Sequence, residues 1–595
     1  MNERLWKENR EVKELLLEAG SLEEAREKLY SYLFKQEQKL REDEESKDFV
    51  EHSLALQALS VFKGIISKRN EKIAGFSTLE TIYNLAQGKI DSVSPGFVKE
   101  IIHLFRAIHK KAGYESGWLG KKIGESTEFH GREGAIKRSN YLDKIYQNLE
   151  SFVSRYRDGL DPEVIKEREE NKKKILSYFK GSEEDWYDWN WQLRHVIRGE
   201  DGIKHLKNLV PLTDEDIEAL ELASKYKIPY GITPYYLSLF DFSRADRKYD
   251  YQVRAQVLPP LFYVKMMAEH RSDRSYYFDF MGEHDTSPHD LITRRYPLVA
   301  IVKPYNSCPQ ICVYCQRNWE ITGPLEPSAA IPESEYNKAI DWLVEHPAIK
   351  DVLITGGDPL VLSDQKIDRI IERLFSRGTV ILVRIASRVL VTLPMRITDS
   401  LVEVFKKYIK FGERTICFVT HVEHPMEITP DVIKATEKLT SAGIYIYNQL
   451  VYTAVVSRRF ENVALRIALK KAGIDPYYTF FPKGKEEHKG YTIPVARIFQ
   501  ERKEEARLLP GQFRTDEPVF NVPRLGKNHI RAMQDRELIG IKKDGRRVYL
   551  WYPWEKGITY AKPYKYVDVS IDEYLEEMKK MGEDPEDYSS IWYYY

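Results

Sequence analysis

Cysteine is nearly absent, with four residues in a chain of 595. So few thiols exclude a disulfide framework and the small secreted scaffolds built on one. No apolar run approaches the ~20 residues of a membrane span, and the opening residues, Met1 to Arg10, carry no signal-peptide core. A cytoplasmic protein with no membrane partner is expected. Net charge is absent too: 91 Lys+Arg balance 91 Asp+Glu, which argues against a dedicated nucleic-acid binder. Internal repeats and low-complexity tracts are missing. What remains is a globular composition, 42% hydrophobic and 31% charged. The chain exceeds what one core supports, so at least two domains are expected.

Three of the four cysteines, Cys308, Cys312 and Cys315, fall within eight residues at the spacing C-x3-C-x2-C. Closely spaced thiolates chelate soft iron or zinc. Three thiolates suit a 4Fe–4S cluster with one iron left open for a substrate molecule. A structural zinc site wants four protein ligands, and the fourth here would be a distant histidine or Cys417. A zinc clip and unrelated core cysteines are the alternatives.

Residues 1–180 read as a helical N-terminal extension; Ser21 is a cap residue ahead of apolar positions at helical spacing. The stretch 113–124 and the charged run 167–174 read as linkers or solvated faces. Residues 181–290 read as a mixed, aromatic-rich cap. From 291 to 485 short apolar runs alternate with amphipathic helical stretches. The predicted strands are 298–303, 351–355, 380–386, 415–420, 445–451 and 477–481, with helices near 333–346, 364–376, 398–410, 430–442 and 461–472 between them. Six β/α units imply a parallel sheet with right-handed crossovers, closed or partial as a barrel. Its active site is expected where strands end and loops begin. The polar signatures track those ends: the cysteine loop, Gly356-Gly357-Asp358, Ser387-Arg388, His421 with His424, and Lys483. Residues 486–595 form a C-terminal segment with an aromatic-rich tail.

At this point a family resemblance emerges. The cysteine spacing, with Tyr314 before the last cysteine, resembles the radical S-adenosylmethionine signature. Trp189–Arg194, Ile232–Leu239, Arg295-Tyr296-Pro297, Gly356–Asp358 with Leu362–Asp364, Arg384–Arg388, His424–Thr429 and Asn448-Gln449 resemble the lysine 2,3-aminomutase family, with the glutamate 2,3-aminomutase variant nearest. The resemblance covers roughly residues 185–535. It implies an α/β fold, a partial (β/α)6 radical-SAM barrel with a large helical N-terminal extension. It also implies a 4Fe–4S cluster, S-adenosylmethionine, pyridoxal 5′-phosphate and a flavodoxin- or ferredoxin-type electron donor. The implied activity is an isomerase that moves an amino group from the α- to the β-carbon of a small amino acid. A homo-oligomer is expected by the same analogy. Zinc is not, because the C-terminal zinc cysteines of some relatives are missing.

The resemblance also implies roles. Cys308, Cys312 and Cys315 would hold three irons. Tyr314 would pack near the adenine, unless it is a plain core aromatic. Gly356, Gly357 and Asp358 would let backbone approach the methionyl group; Ser387, His424 and Gln449 match polar positions that contact S-adenosylmethionine. Lys527 matches the lysine that binds pyridoxal phosphate covalently, a task that needs a neutral amine in a partly desolvated seat; the glycine run before it is shortened to Arg-Leu-Gly. Arg295 matches an arginine holding the cofactor phosphate. Its companion four positions on is Val299, so another donor is required, with Arg294 the neighbour in sequence. Arg317 matches the arginine that grips the substrate α-carboxylate as a planar fork.

Lysine-specific members hold the distal ammonium with two aspartates. Here those positions are Lys483 and Asn521. A second ammonium ~4 Å from Lys483 would be repelled by about 4 kcal/mol at an effective dielectric near 20, whereas a carboxylate would be attracted. The pair resembles the glutamate variant and predicts L-glutamate as substrate. The same fold acting on lysine or another amino acid, a radical reaction without pyridoxal phosphate, and a non-enzymatic zinc protein are the rivals. So is a Lys483 that points to solvent from its hydrophilic loop.

Overall fold

The computed structural model describes residues 2–43, 48–89, 93–113, 130–246, 249–376, 378–523, 526–552 and 562–595. Most of the stretch 113–124, and Arg524 and Leu525 ahead of Lys527, lie outside these. Among the described residues twelve strands form two sheets: β1 Ile292–Thr293, β2 Val299–Tyr305, β3 Asp351–Gly356, β4 Leu382–Ala386, β5 Thr415–Thr420, β6 Tyr445–Val451, β7 Ile474–Phe480, β8 Glu517–Val522, β9 Gly526–His529, β10 Arg536–Ile541, β11 Arg547–Trp551 and β12 Tyr564–Val567. The first nine make one sheet in chain order. β2 to β8 run parallel, and antiparallel β1 and β9 flank them.

The six predicted strands are β2 to β7, and the five helices between them occupy Glu333–Val344, Asp364–Phe375, Asp399–Lys406, Pro430–Ser441 and Glu461–Lys471. Period-two alternation divides each strand between two environments. Ala300, Val352, Val383 and Ile416 are fully buried under the helices, in register with one another. The alternate residues Val299, Ile301, Leu353 and Arg384 line a central cavity. The sheet is a partial barrel whose lumen holds polar groups.

β8 and β9 continue the sheet past the sixth unit and were read from sequence as part of an undifferentiated C-terminal segment. They pair antiparallel, with Asn521 opposite Lys527 and Val522 opposite Gly526. The second sheet, β10–β11–β12, packs on helices of the N-terminal extension. The Thr78 hydroxyl donates to the Ile541 carbonyl at 3.1 Å and accepts from its N–H at 2.9 Å. Arg547 and Glu100 form a buried ion pair at 2.9 Å. His103 stacks on Trp592 with ring centroids 4.9 Å apart, so the aromatic tail packs on its own chain. Residues 131–179 lie instead against the barrel, where the Tyr156 hydroxyl donates to the Arg459 carbonyl at 2.5 Å. Among the described residues no single helix is long and apolar enough to cross a membrane.

Candidate active site

The cysteine loop leaves the end of β2 and folds across the barrel mouth. Gly356 and Gly357 explain how it lies so low. Gly356 has φ +111°, a region closed to most side chains, and a Cβ there would sit 2.8 Å from the Tyr305 carbonyl oxygen. A Cβ on Gly357 would overlap the backbone of Ser307, next to Cys308. These glycines are required by the loop's own packing, which the sequence reading had assigned to ligand approach alone. Asp358 is turned inward: it accepts from the Ser387 hydroxyl at 2.7 Å and from the N–H groups of Arg388 and Val389 at 2.9 and 3.2 Å. Ser387 therefore spends its hydroxyl on tying the β4 loop to the β3 loop.

Cys312 Sγ accepts from Arg388 Nη1 at 2.7 Å, and Cys315 Sγ from the Arg317 N–H at 3.3 Å. Burial pushes the Cys308 thiol well above its ordinary value, helped by Asp358 and the other two sulfurs. Burial also raises Cys312, against the pull of Arg388. Among the described residues no three His, Cys, Asp or Glu side chains converge on a single-ion site. Thiolates of a 4Fe–4S cluster each bind a separate iron and need no such convergence. Gln310, between the first two cysteines, buries both amide atoms without a hydrogen-bond partner among the described residues. Three sulfurs on one loop, two of them already accepting from cationic or dipolar donors, fit a cluster.

Behind this loop are two adjoining cavities that share Gln316, Gln449, Phe480 and Asn521 on their walls. The smaller, about 190 Å³, is lined by Tyr314, His421, Lys483, His488 and Tyr491 among others. Tyr314 donates to Gln256 Oε1 at 3.0 Å and lies 3.2 Å from His421 Nε2. Lys483 bonds the side-chain oxygen of Gln316. It does not point to solvent, and its loop is solvated only in part: Lys485, Glu487 and His488 are buried, while Glu486, Lys489 and Gly490 are exposed. Lys485 pairs with Glu487 at 2.6 Å, and Asn318 joins both. Burial, with Lys485 and Arg295 nearby, pushes the Lys483 amine well below its ordinary value.

The larger cavity, about 650 Å³, runs down the lumen past Arg295, Asp351, Arg384, Tyr477 and Lys527. That volume suits a drug-sized ligand. It extends to the starts of β2 and β3, at Val299 and Asp351, below the strand ends where the site was expected. Lys527 Nζ sits 5.1 and 4.8 Å from the ring centroids of Tyr296 and Tyr478. Burial, then Arg384 and Arg295, lower its amine from 10.5 to about 8, while Asp351 opposes them. A lysine so placed is partly neutral near neutrality, as a nucleophile must be. Arg295 Nη2 lies 3.9 Å from Glu283 Oε1. Arg294 does not line the cavity; it donates to the Pro297 carbonyl at 2.9 Å. A cavity with one poised lysine, two guanidinium groups and tyrosine walls fits a phosphorylated aromatic aldehyde.

Arg317 is buried and bonds Asn306 at 2.9 Å and Glu320, while its Nε and Nη1 have no hydrogen-bond partner among the described residues. Buried donors left open are what a carboxylate would satisfy. His424 is buried too, 1% exposed: it accepts from the Met426 N–H at 3.2 Å through Nδ1, and its Nε2, 3.4 Å from Glu461, makes no hydrogen bond among the described residues. Its ring caps a turn outside both cavities, and His421 stands on the cavity wall in its stead. The sequence reading gave Arg384, Arg388 and Glu427 no role, although they fall in its motifs, and passed over Gln256. Arg388 and Arg384 sit in a strand-end motif and were legible by position. Gln256 and Glu427 meet Arg388 only through tertiary packing.

Residues 302–464 match the model of the radical SAM superfamily, whose members use a 4Fe–4S cluster and S-adenosylmethionine. Glutamate 2,3-aminomutase of Clostridioides difficile is 34% identical, covering 58% of this chain and 78% of that protein. L-lysine 2,3-aminomutase of Bacillus subtilis is 33% identical, covering 67% of this chain and 79% of that one. An uncharacterized KamA family protein of Methanocaldococcus jannaschii is 51% identical, covering 98% of this chain and 96% of its own length. With that identity running through both extensions as well as the barrel, the chain belongs to the KamA family of radical SAM proteins.

Proposed function

We propose that this protein is a pyridoxal phosphate-dependent 2,3-aminomutase that converts L-glutamate to β-glutamate. The observation that carries the reading is that Lys483 and Asn521 line adjoining cavities whose shared wall also leads to Lys527. When bound, reduced cluster and S-adenosylmethionine supply a hydrogen-abstracting radical, and pyridoxal phosphate carries the migrating nitrogen and spreads the unpaired electron.

The chain's own residues do the rest. Lys527 supplies the amine that holds the cofactor and exchanges with the substrate amine. Arg317 receives the α-carboxylate on its open Nε and Nη1. Lys483 and Asn521 receive the distal carboxylate, the first by charge and the second by its amide N–H. An amine held low by burial regains its proton when an anion arrives beside it, and the protonated Lys483 then attracts a carboxylate and repels an ammonium. Gripping both ends fixes the β-carbon, and placement on that scale governs rate. Tyr314, His421 and Gln449 line the space between the cysteine loop and this cavity, where the adenosyl group would lie. An electron donor of flavodoxin or ferredoxin type reduces the cluster.

The test is anaerobic turnover of reconstituted protein with reductant, given L-glutamate or L-lysine in parallel and read by NMR. β-Glutamate alone is the expected product. β-Lysine alone would overturn the substrate, and cleavage of S-adenosylmethionine with neither product would mean a different substrate and reopen the pyridoxal phosphate assignment.

A further inference from the structure

We propose that Arg384 is the second guanidinium that holds the cofactor phosphate, taking the part that an arginine at position 299 would play; the inference rests on the pyridoxal phosphate reading above. A phosphate is close to dianionic near neutrality, so one guanidinium leaves about half of its charge uncompensated. Position 299 holds valine, which offers no donor. Arg294, its near neighbour, is spent on the Pro297 carbonyl.

The sheet register supplies the replacement. Val299 is the Cα partner of Asp351 across β2 and β3, and Asp351 is the partner of Leu382 on β4. Arg384 lies two residues further along β4, on the lumen face. Its Nε donates to Asp351 Oδ1 at 2.8 Å, so the guanidinium is drawn back toward the ground opposite Val299. Nη1 is 3.4 Å from the Tyr477 hydroxyl, and Nη2 has no hydrogen-bond partner among the described residues. Among the described residues, Arg384 and Arg295 are the two arginines on this cavity's wall. Both share the cavity with Lys527, so a group attached to Lys527 is enclosed by the same wall that carries them. Asp351 orients Arg384 through one edge of the fork and leaves the other edge for the ligand.

The experiment titrates the apo-protein with pyridoxal phosphate and, separately, with pyridoxal, following absorbance of the Lys527 adduct. Pyridoxal makes the same adduct without the phosphate, so the ratio of the two dissociation constants isolates the phosphate contact. Arg384→Gln is expected to weaken pyridoxal phosphate about 10- to 100-fold, the range of a hydrogen bond to a charged group, and to change pyridoxal much less. Adding Val299→Arg to that variant is expected to recover most of the loss. Equal weakening of both ligands, or of neither, would overturn the assignment. Should Arg384→Gln not fold, Arg384→Lys keeps the charge beside Asp351 without the fork, and the same phosphate-selective loss is expected. Wild-type protein that binds both ligands equally overturns the Arg384 assignment alone. Protein that binds neither overturns the pyridoxal phosphate reading beneath it.

Discussion

Asn521 and Lys527 are direct partners across the β8–β9 hairpin, and both side chains line the same cavity. Opposed residues of an antiparallel pair present side chains on one face, with Cβ atoms ~5 Å apart. Whatever Lys527 anchors is therefore presented to Asn521 at a separation fixed by the hairpin. Exchanging the charge at this end, with Lys483→Asp and Asn521→Asp together, replaces an attraction by a repulsion of about 4 kcal/mol per close contact. The expected outcome is a fall in kcat/KM for L-glutamate of at least ~100-fold, allowing for screening, with L-lysine turnover rising. Steady-state rates on both amino acids check it; a double variant that still prefers glutamate would remove the distal-carboxylate argument.

Lys527 predicts a pH dependence. Its amine, held at about 8, reacts only when neutral, so the rate of adduct formation with pyridoxal should rise with pH and level off above that value. An unperturbed lysine would be only about 0.3% neutral at pH 8. Asp351 is the carboxylate that favours the protonated form. Asp351→Asn should therefore move the midpoint to lower pH, leaving Arg384 and Arg295 unopposed. Stopped-flow absorbance across pH 6 to 10 would detect the shift, and a midpoint that moves upward would contradict this electrostatic account.

The barrel was legible because β2 to β7 are apolar runs bounded by turns and separated by capped amphipathic helices. Local pattern and tertiary outcome agree there. The β8–β9 hairpin was not legible as structure, although it carries Asn521 and Lys527. Pro518 and Pro523 interrupt its short strands, and it gains its partners only by joining a sheet edge already built. The Lys483 loop was legible in part. Its hydrophilic composition left a solvent-pointing Lys483 open as a rival, and what closes that rival is tertiary: Lys485, Glu487 and Asn318 satisfy one another under the cysteine loop. His424 and His421 stand three residues apart, and spacing alone does not say which faces the lumen. Tertiary packing decides it, with His421 on the wall of the smaller cavity and His424 off it.

Gly357→Ala tests the packing of the cysteine loop. The added methyl overlaps Ser307 backbone, which has no rotamer to yield, so the loop must shift beside Cys308. Iron and sulfide bound after anaerobic reconstitution should fall by more than half, while far-UV circular dichroism stays as in wild type. Gly378, where a Cβ meets nothing within 4 Å, provides the control for glycine replacement: Gly378→Ala should strain only its own turn, at φ +67°, and keep its full complement of iron. Equal iron in the two variants would mean that the close approach at Gly357 does not govern the loop.

Arg388 and Glu427 form a buried ion pair at 2.8 Å, and the same guanidinium donates to Cys312 Sγ. Removing one partner of such a pair strands the other in low dielectric, at a cost of about 3–5 kcal/mol. Arg388→Met in the cluster-free protein should therefore be strongly destabilised. Arg388→Met with Glu427→Gln should recover part of that, giving an interaction energy of roughly 2 kcal/mol or more in a double-mutant cycle. The pH dependence has a definite sign. In wild type Arg388 holds Glu427 below its ordinary value against the opposing effect of burial, so its contribution is present above the unfolded value and is lost as pH falls through the folded one. In Arg388→Met burial is opposed only by the Tyr236 hydroxyl, the Glu423 N–H and His421, so the carboxyl lies higher than in wild type and the deficit, greatest near neutrality, shrinks as acid protonates Glu427. Denaturant unfolding at pH 7 and pH 5 measures both effects. A deficit that is the same at the two pH values would assign the loss to packing around Tyr236 and Gln256 instead of to the stranded charge.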